Sequence, residues 1–214
     1  YLNNLKSKLH DISLNSPSEY HEMLEGCPNF HRFIDQETSK KYSLQTHRHS
    51  FYFFRWNKDD LKLFDNFDSL WGNIKKLGGL KFDEYVKNTP KDIVVDRVQI
   101  VRYPEKTGFI EPHQHTPINQ RLIISVYMSK QGKDYKSGGT YFYNDNQKIE
   151  VEDKINIGDC GIFYATLKHS VDPVELLKQK LSSEEEKTKG RWWIGLYSPE
   201  SNHKKNRNTS NPKN

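Results

Sequence analysis

Cysteine is scarce in this chain: Cys27 and Cys160 are the two in 214 residues. They form no C-x-x-C pair, which argues against a disulfide framework and against a thiolate zinc site, and suits a reducing compartment. No apolar run approaches the roughly 18 residues that a membrane-spanning helix needs. The opening stretch, Tyr1 to His10, lacks the charged-then-apolar order of a signal peptide. A cytoplasmic location is therefore expected, with any targeting segment before Tyr1 left open. The apolar share is low at 34%, but aromatics reach 13%, and each ring buries a large area. The length suits one medium domain with an N-terminal addition. The formal charge of +5 owes part of its excess to Lys204, Lys205, Arg207 and Lys213 in an Asn- and Ser-rich end. Without a basic recognition helix or a stacking motif, this charge gives no reason to expect nucleic-acid binding. The oligomeric state is not legible.

There is no internal repeat. Residues 1–50 read as irregular, and Phe51–Trp56 as a strand covered on both faces. Asp59-Asp60 can start a helix in which Leu61, Phe64, Phe67, Leu70, Trp71 and Ile74 recur at helical spacing and which Gly78-Gly79 ends. A second short helix is expected over Phe82 to Val86. From Asp92 the texture changes to short strands, at Asp92–Tyr103, Arg121–Ser129, Thr140–Tyr143, Lys148–Val151, Cys160–Thr166 and Arg191–Tyr197. Turns separate them, among them Ser137-Gly138-Gly139. Many short strands behind a helical front predict a mainly β protein with flanking helices, a barrel or sandwich. The boundaries expected are 1–91 for an N-terminal segment packing on the barrel and 92–198 for the core. The core carries a charged insertion at about 174–189, read as a mobile flap or a loop, and a basic tail over 199–214 is expected to be disordered.

His113-Gln114-His115 carries the first chemical signal. In an extended segment, residues two apart point to one side, so both imidazoles can approach one ion. His169 follows just past a strand. Three neutral imidazoles suit iron, zinc, copper or nickel.

The run Arg102-Tyr103-Pro104, Gly108 and His113-Gln114-His115 resembles the metal-site segment of iron(II)/2-oxoglutarate-dependent dioxygenases, closest to the prolyl-hydroxylase-like group. Three later blocks match in the same order: Asp134-Tyr135 with Gly138-Gly139-Thr140; Gly158-Asp159 with Phe163; and His169-Ser170-Val171-Asp172-Pro173-Val174 followed by Gly190-Arg191. The resemblance covers roughly residues 92–198. It implies a double-stranded β-helix (a jelly-roll or cupin-like barrel) backed by N-terminal helices. It also implies Fe(II), 2-oxoglutarate as co-substrate and O2, with hydroxylation of a small molecule or peptide and release of succinate and CO2. His113 and His169 match the two histidine ligands. Arg191 matches the basic residue that grips the distal carboxylate of 2-oxoglutarate, a role that suits a guanidinium fork. Tyr103 matches a tyrosine holding the same co-substrate. Tyr127 fits either a second such contact or core packing.

Two departures stand out. The carboxylate of the family's H-x-D is His115 here, which keeps the ligand count and removes a negative charge, and His169 and Arg191 lie farther apart than the family pattern. His113-x-His115 also resembles a cupin motif. A three-histidine dioxygenase that uses no 2-oxoglutarate therefore stays open, as does a catalytically silent metal-binding module. His47-Arg48-His49 has the same histidine spacing without a partner, and a substrate-side or structural role is expected of it rather than a second metal site. Strand parity puts Arg97, Gln99 and Val101 on the face of Tyr103, and Trp193 on that of Arg191. Arg97, Gln99 and Trp193 are thus candidate substrate contacts, with a hydrogen-bond network as the other reading of Arg97 and Gln99.

Overall fold

Strands whose two faces both carry large apolar side chains must be covered on both sides. Arg191–Tyr197 has this character, with Trp192, Ile194 and Leu196 alternating with Arg191, Trp193 and Tyr197. In the computed structural model, which describes residues 1–42, 44–145, 147–175, 177 and 182–205, this segment lies deep inside the sheet. The elements in chain order are α1 (Leu2–Asn15), β1 (Phe30–Ile34), α2 (Gln36–Ser39), β2 (Thr46–Phe54), α3 (Leu63–Leu77), β3 (Arg97–Tyr103), β4 (Phe109–His113) and β5 (Leu122–Tyr127). They continue with β6 (Ser137–Asn144), β7 (Gln147–Glu150), β8 (Cys160–Tyr164), β9 (His169–Glu175), α4 (Ser183–Thr188) and β10 (Arg191–Tyr197).

The strand order is β7-β6-β9-β4-β2-β3-β10-β5-β8, with β1 added on β2, and every pair is antiparallel. β2 joins the two halves: Thr46 and His47 pair with β4, whereas His49 to Phe54 pair with β3. Phe142 on β6 meets Phe163 on β8 edge-on at 4.9 Å, which brings the far ends of the array together. The result is the double-stranded β-helix. One face of the β3–β10–β5 layer carries Val98, Ile100, Ile124, Val126, Ile194 and Leu196 and is covered by Leu5 and Leu9 of α1 and by Phe67, Trp71 and Ile74 of α3. The other face gives Val101, Tyr103 and Trp193 to the interior, against Ile110, Val171 and Val174.

Several expectations need correction. Residues 1–50 are not irregular, since they hold α1, β1 and most of β2. Leu2, Leu5, Leu9 and Ile12 keep helical spacing along α1 among many polar neighbours, and they pack into the core. β2, from the stretch expected to pack outside the barrel, pairs inside it. No helix forms over Phe82 to Val86. The segment is a run of turns in which Tyr85 takes a left-handed φ of 65° and Lys75 captures the Glu84 carbonyl. β3 starts at Arg97, because Thr89 and Asp92 close a capping box around a short 3-10 turn at Pro90–Asp92. Ser137-Gly138-Gly139 is no turn between strands but the start of β6, with a register shift against β9. Gly138 and Gly139 have φ of 88° and 103°, the mark of a bulge within a ladder.

The insertion contains α4, capped by Ser182 and Glu185, and α4 packs against α1 rather than over the interior. Part of it, 176 and 178–181, lies outside the described residues. The start of the expected disordered tail is packed: Ser201 and Asn202 are buried, Ser201 Oγ donates to the Pro90 carbonyl at 2.8 Å, and Asn202 Oδ1 accepts from the Met23 amide at 2.9 Å. Backbone partners make burial of these polar residues tolerable. Residues 206–214 lie outside the described residues. No helix is long and apolar enough to cross a membrane among the described residues, and Cys27 and Cys160 are free thiols.

α3 is held to the sheet by a buried charge network. Asp96, fully buried, accepts from Lys75 Nζ at 2.7 and 2.9 Å, from Arg55 Nε at 3.0 Å and from Ser198 Oγ at 3.0 Å. Arg55 also forks onto Asp68 at 2.7 and 3.0 Å. Removing one partner of a buried pair leaves the other charge without compensation. Asp96→Asn, close in shape, is expected to destabilise the fold by about 3–5 kcal/mol. Urea unfolding checks this, and an unchanged midpoint would mean that the network contributes nothing net.

Candidate metal centre

β4 and β9 are paired so that His113 lies opposite His169. The chain then continues past β4 with the His115 amide donating to the Ala165 carbonyl at 2.8 Å, which holds the third histidine beside the first two. The ring centroids are 4.3 Å apart for His113 and His169 and 5.1 Å apart for each pair with His115. One nitrogen from each lies within 4.8 Å of the others, and among the described residues this is the group of metal-ligating type that converges.

The tautomers are set from behind. His113 Nδ1 is 2.8 Å from the Glu111 carbonyl, and His169 Nδ1 is 2.9 Å from the Leu167 carbonyl. A carbonyl accepts only, so each Nδ1 carries the hydrogen and each Nε2 presents a lone pair. His115 Nε2 is buried without a hydrogen-bond partner. Burial, and then the neighbouring imidazole of His169, holds His113 at a pKa of about 3. Burial with the other two imidazoles holds His115 at about 2, and burial also lowers His169. All three are neutral at pH 7, the form that ligates. An orphaned buried nitrogen together with two lone pairs aimed inward fits a divalent ion such as iron(II).

These histidines open onto an interior cavity of about 560 Å³ between the two sheets. Arg97, Gln99, Tyr103, Tyr127, Arg191 and Trp193 all line it, with Arg97 and Gln99 sharing the face of Tyr103, and Trp193 that of Arg191, as strand parity expected. Arg97 Nη2 donates to Gln99 Oε1 at 2.8 Å, and Gln99 reaches Ser50 Oγ at 3.4 Å. Phe163 stands edge-on to His169 at 4.9 Å.

At Arg191 the expectation of a waiting anion clamp meets a residue that sequence reasoning missed. Glu152, buried and 1% exposed, takes Arg191 Nε at 2.9 Å and Nη2 at 2.7 Å. It also accepts from the Thr140 amide at 2.7 Å and from the Tyr135 hydroxyl. Burial would raise its pKa, but Arg191 beside it holds the carboxyl below the usual range. Gly139 is required here, since a Cβ at that position would come within 2.6 Å of Glu152. Arg191 Nη2 is 2.5 Å from Thr140 Oγ1, and Nη1 is buried without a partner. The Arg191 guanidinium lies 5.5 Å from the Tyr103 ring and 5.7 Å from the Tyr127 ring, and the Tyr103 hydroxyl also makes no hydrogen bond. Arg191 Nη1 and the Tyr103 hydroxyl are thus unpaired donors on two residues that line the cavity, and donors of this type suit a carboxylate such as that of 2-oxoglutarate.

His47 and His49 point to the outer face. His49 is 3.0 Å from His31 and stacks on Phe33 at 4.3 Å, which is a structural role. Arg48, between them, turns inward and lines the cavity, another residue that the sequence reading passed over. Alternation along β2 was the signal that could have found it.

No protein-family model matches the chain, and no curated protein matches it in sequence. Among solved structures, a Pseudomonas putida prolyl-4-hydroxylase aligns over 92% of this chain and 86% of its own, with a TM-score of 0.54 at 11% identity. A full-length Neurospora crassa protein in complex with alpha-KG and thymine aligns over 93% and 72%, with a TM-score of 0.50 at 9% identity. A 2OG-Fe(II) oxygenase family protein from Caulobacter crescentus aligns over 93% and 73%, with a TM-score of 0.50 at 11% identity. At such identities the likeness is one of fold.

Proposed function

We propose that the protein is a non-haem iron(II)- and 2-oxoglutarate-dependent oxygenase acting on a small-molecule or peptidyl substrate. The observation that carries this reading is the meeting, in one cavity, of three convergent histidine nitrogens with unused donors on Arg191 and Tyr103. His113, His115 and His169 hold the iron. Arg191 Nη1 and the Tyr103 hydroxyl receive the distal carboxylate of 2-oxoglutarate, with Tyr127 beside them. When bound, iron and 2-oxoglutarate supply oxidation of a C–H bond by O2, coupled to release of succinate and CO2. Trp193, Phe163 and Ile110 give the interior apolar walls against which the substrate's carbon skeleton can pack. Arg97 and Gln99 hold one another and present polar edges to the substrate. The prolyl-4-hydroxylase and the thymine complex share the fold, and neither substrate transfers to this chain at such low identity.

Succinate release on adding iron(II), 2-oxoglutarate and O2 to the protein tests the proposal, even uncoupled from a substrate. The pairing of Arg191 with Glu152, together with the third histidine, favours a second reading: a three-histidine dioxygenase that needs no 2-oxoglutarate. Oxygen uptake independent of 2-oxoglutarate would select that reading, and no uptake under either condition would leave a silent metal-binding module.

A further inference from the structure

A second, smaller cavity of about 100 Å³ adjoins the first, and Leu44, Arg48, Arg97 and Gln99 line both. Among the described residues, its lining includes three arginines, Arg32, Arg48 and Arg97, and no aspartate or glutamate. Glu200 lines the larger cavity. Arg32 on β1 is 7% exposed, and its Nη2 is buried without a hydrogen-bond partner. Its guanidinium packs on the rings of Tyr20 at 4.9 Å and Tyr42 at 4.6 Å. Rings engage the face of a guanidinium and leave its N–H edges for oxygen acceptors.

Arg48 Nε is likewise buried without a partner. The Arg48 guanidinium lies near the Tyr103 hydroxyl without the geometry of a full hydrogen bond. The field of the cluster is visible in Tyr52 on the same wall. Burial acts to raise its pKa, but Arg48, Arg97 and Arg32 outweigh this and bring it below the ordinary phenol value. Buried guanidinium nitrogens left unpaired are costly, and Arg191 shows that this fold supplies an internal carboxylate where a buried arginine needs one.

We infer that the small cavity is an anion-binding chamber, which seats a carboxylate or phosphate group of the substrate between Arg32 and Arg48. Calling the occupant a substrate group rests on the oxygenase reading; binding of an anion there does not. Arg48 and Gln99 line both the chamber and the cavity of the histidine site. An anionic small molecule therefore places its charged end in the chamber and the rest of its skeleton in the larger cavity, toward His113, His115 and His169.

The test is a calorimetric titration of metal-free protein with inorganic phosphate. One saturable site is expected. Arg32→Gln and Arg48→Gln should each weaken binding at least about tenfold. The double replacement Arg191→Met with Glu152→Gln, which removes the buried arginine of the larger cavity together with its carboxylate, should change it less than about twofold. Absence of saturable binding overturns the chamber, as does binding that Arg32→Gln leaves unchanged or that the double replacement abolishes. If the glutamine variants fail to fold, a bromide-soaked crystal of the unaltered protein decides, with anomalous density expected between Arg32 and Arg48 and its absence refuting the site. Succinate formation enters none of these readouts, so the chamber and the oxygenase reading can fail separately.

Discussion

His115→Ala lowers iron(II) affinity by on the order of a hundredfold or more. Losing an outer-shell contact behind a ligand already costs about ten- to a hundredfold, and here a ligand itself is removed. His115 Nε2 has no hydrogen-bond partner of its own, so nothing in the protein competes with the ion for it. Anaerobic titration with iron(II) measures the change without any turnover. His115→Asp restores the two-histidine, one-carboxylate set and is expected to keep iron bound. The reach of the shorter side chain then decides how tightly, and the site's formal charge falls from +2 to +1. Equal affinity in His115→Ala and the unaltered protein would mean that the third imidazole does not ligate.

Glu152→Gln produces an opposite pair of effects in one protein. Without 2-oxoglutarate, Arg191 is left buried beside a neutral amide, and stability falls by about 3–5 kcal/mol. The carboxylate of 2-oxoglutarate then becomes the counter-charge that Glu152 was, and its Kd tightens at least about tenfold, which is roughly 1.4 kcal/mol. Arg191→Ala does the reverse and weakens 2-oxoglutarate binding at least about tenfold while leaving iron affinity intact, since Arg191 is no part of the histidine cluster. Thermal unfolding followed against 2-oxoglutarate concentration reads both, because a ligand stabilises according to its saturation of the native state. If 2-oxoglutarate shifts none of the three proteins, the three-histidine reading without a co-substrate takes its place.

The strands were legible from local pattern, and the grouping of His113, His115 and His169 from the family resemblance together with it. Period-two alternation along Arg97–Tyr103 and Arg191–Tyr197 grouped Arg97 and Gln99 with Tyr103, and Trp193 with Arg191, and all five line the cavity, because strand side chains alternate faces whatever the strands pack against. The H-x-H spacing at His113 and His115 worked for the same reason. Helix α1 was legible in principle and overlooked, since its five apolar residues are diluted by polar ones. The turns at 82–87 were not legible, because they depend on Lys75 reaching the Glu84 carbonyl from another element.

What the sequence determined by itself was therefore a set of groups of metal- and anion-binding type, together with their grouping by strand face. Which arginine stays charged and uncompensated was decided by tertiary structure alone. Glu152 reaches Arg191 from 39 residues away, and Arg32 and Arg48 meet across β1 and β2 at a register set by pairing, Arg32 opposite Ser50 and Ile34 opposite Arg48. Charge compensation acts through space over a few ångströms in a low-dielectric interior. Local spacing along the chain carries no record of such distances, so the difference between a guanidinium paired with a carboxylate and one that lines the small cavity exists only in the folded molecule.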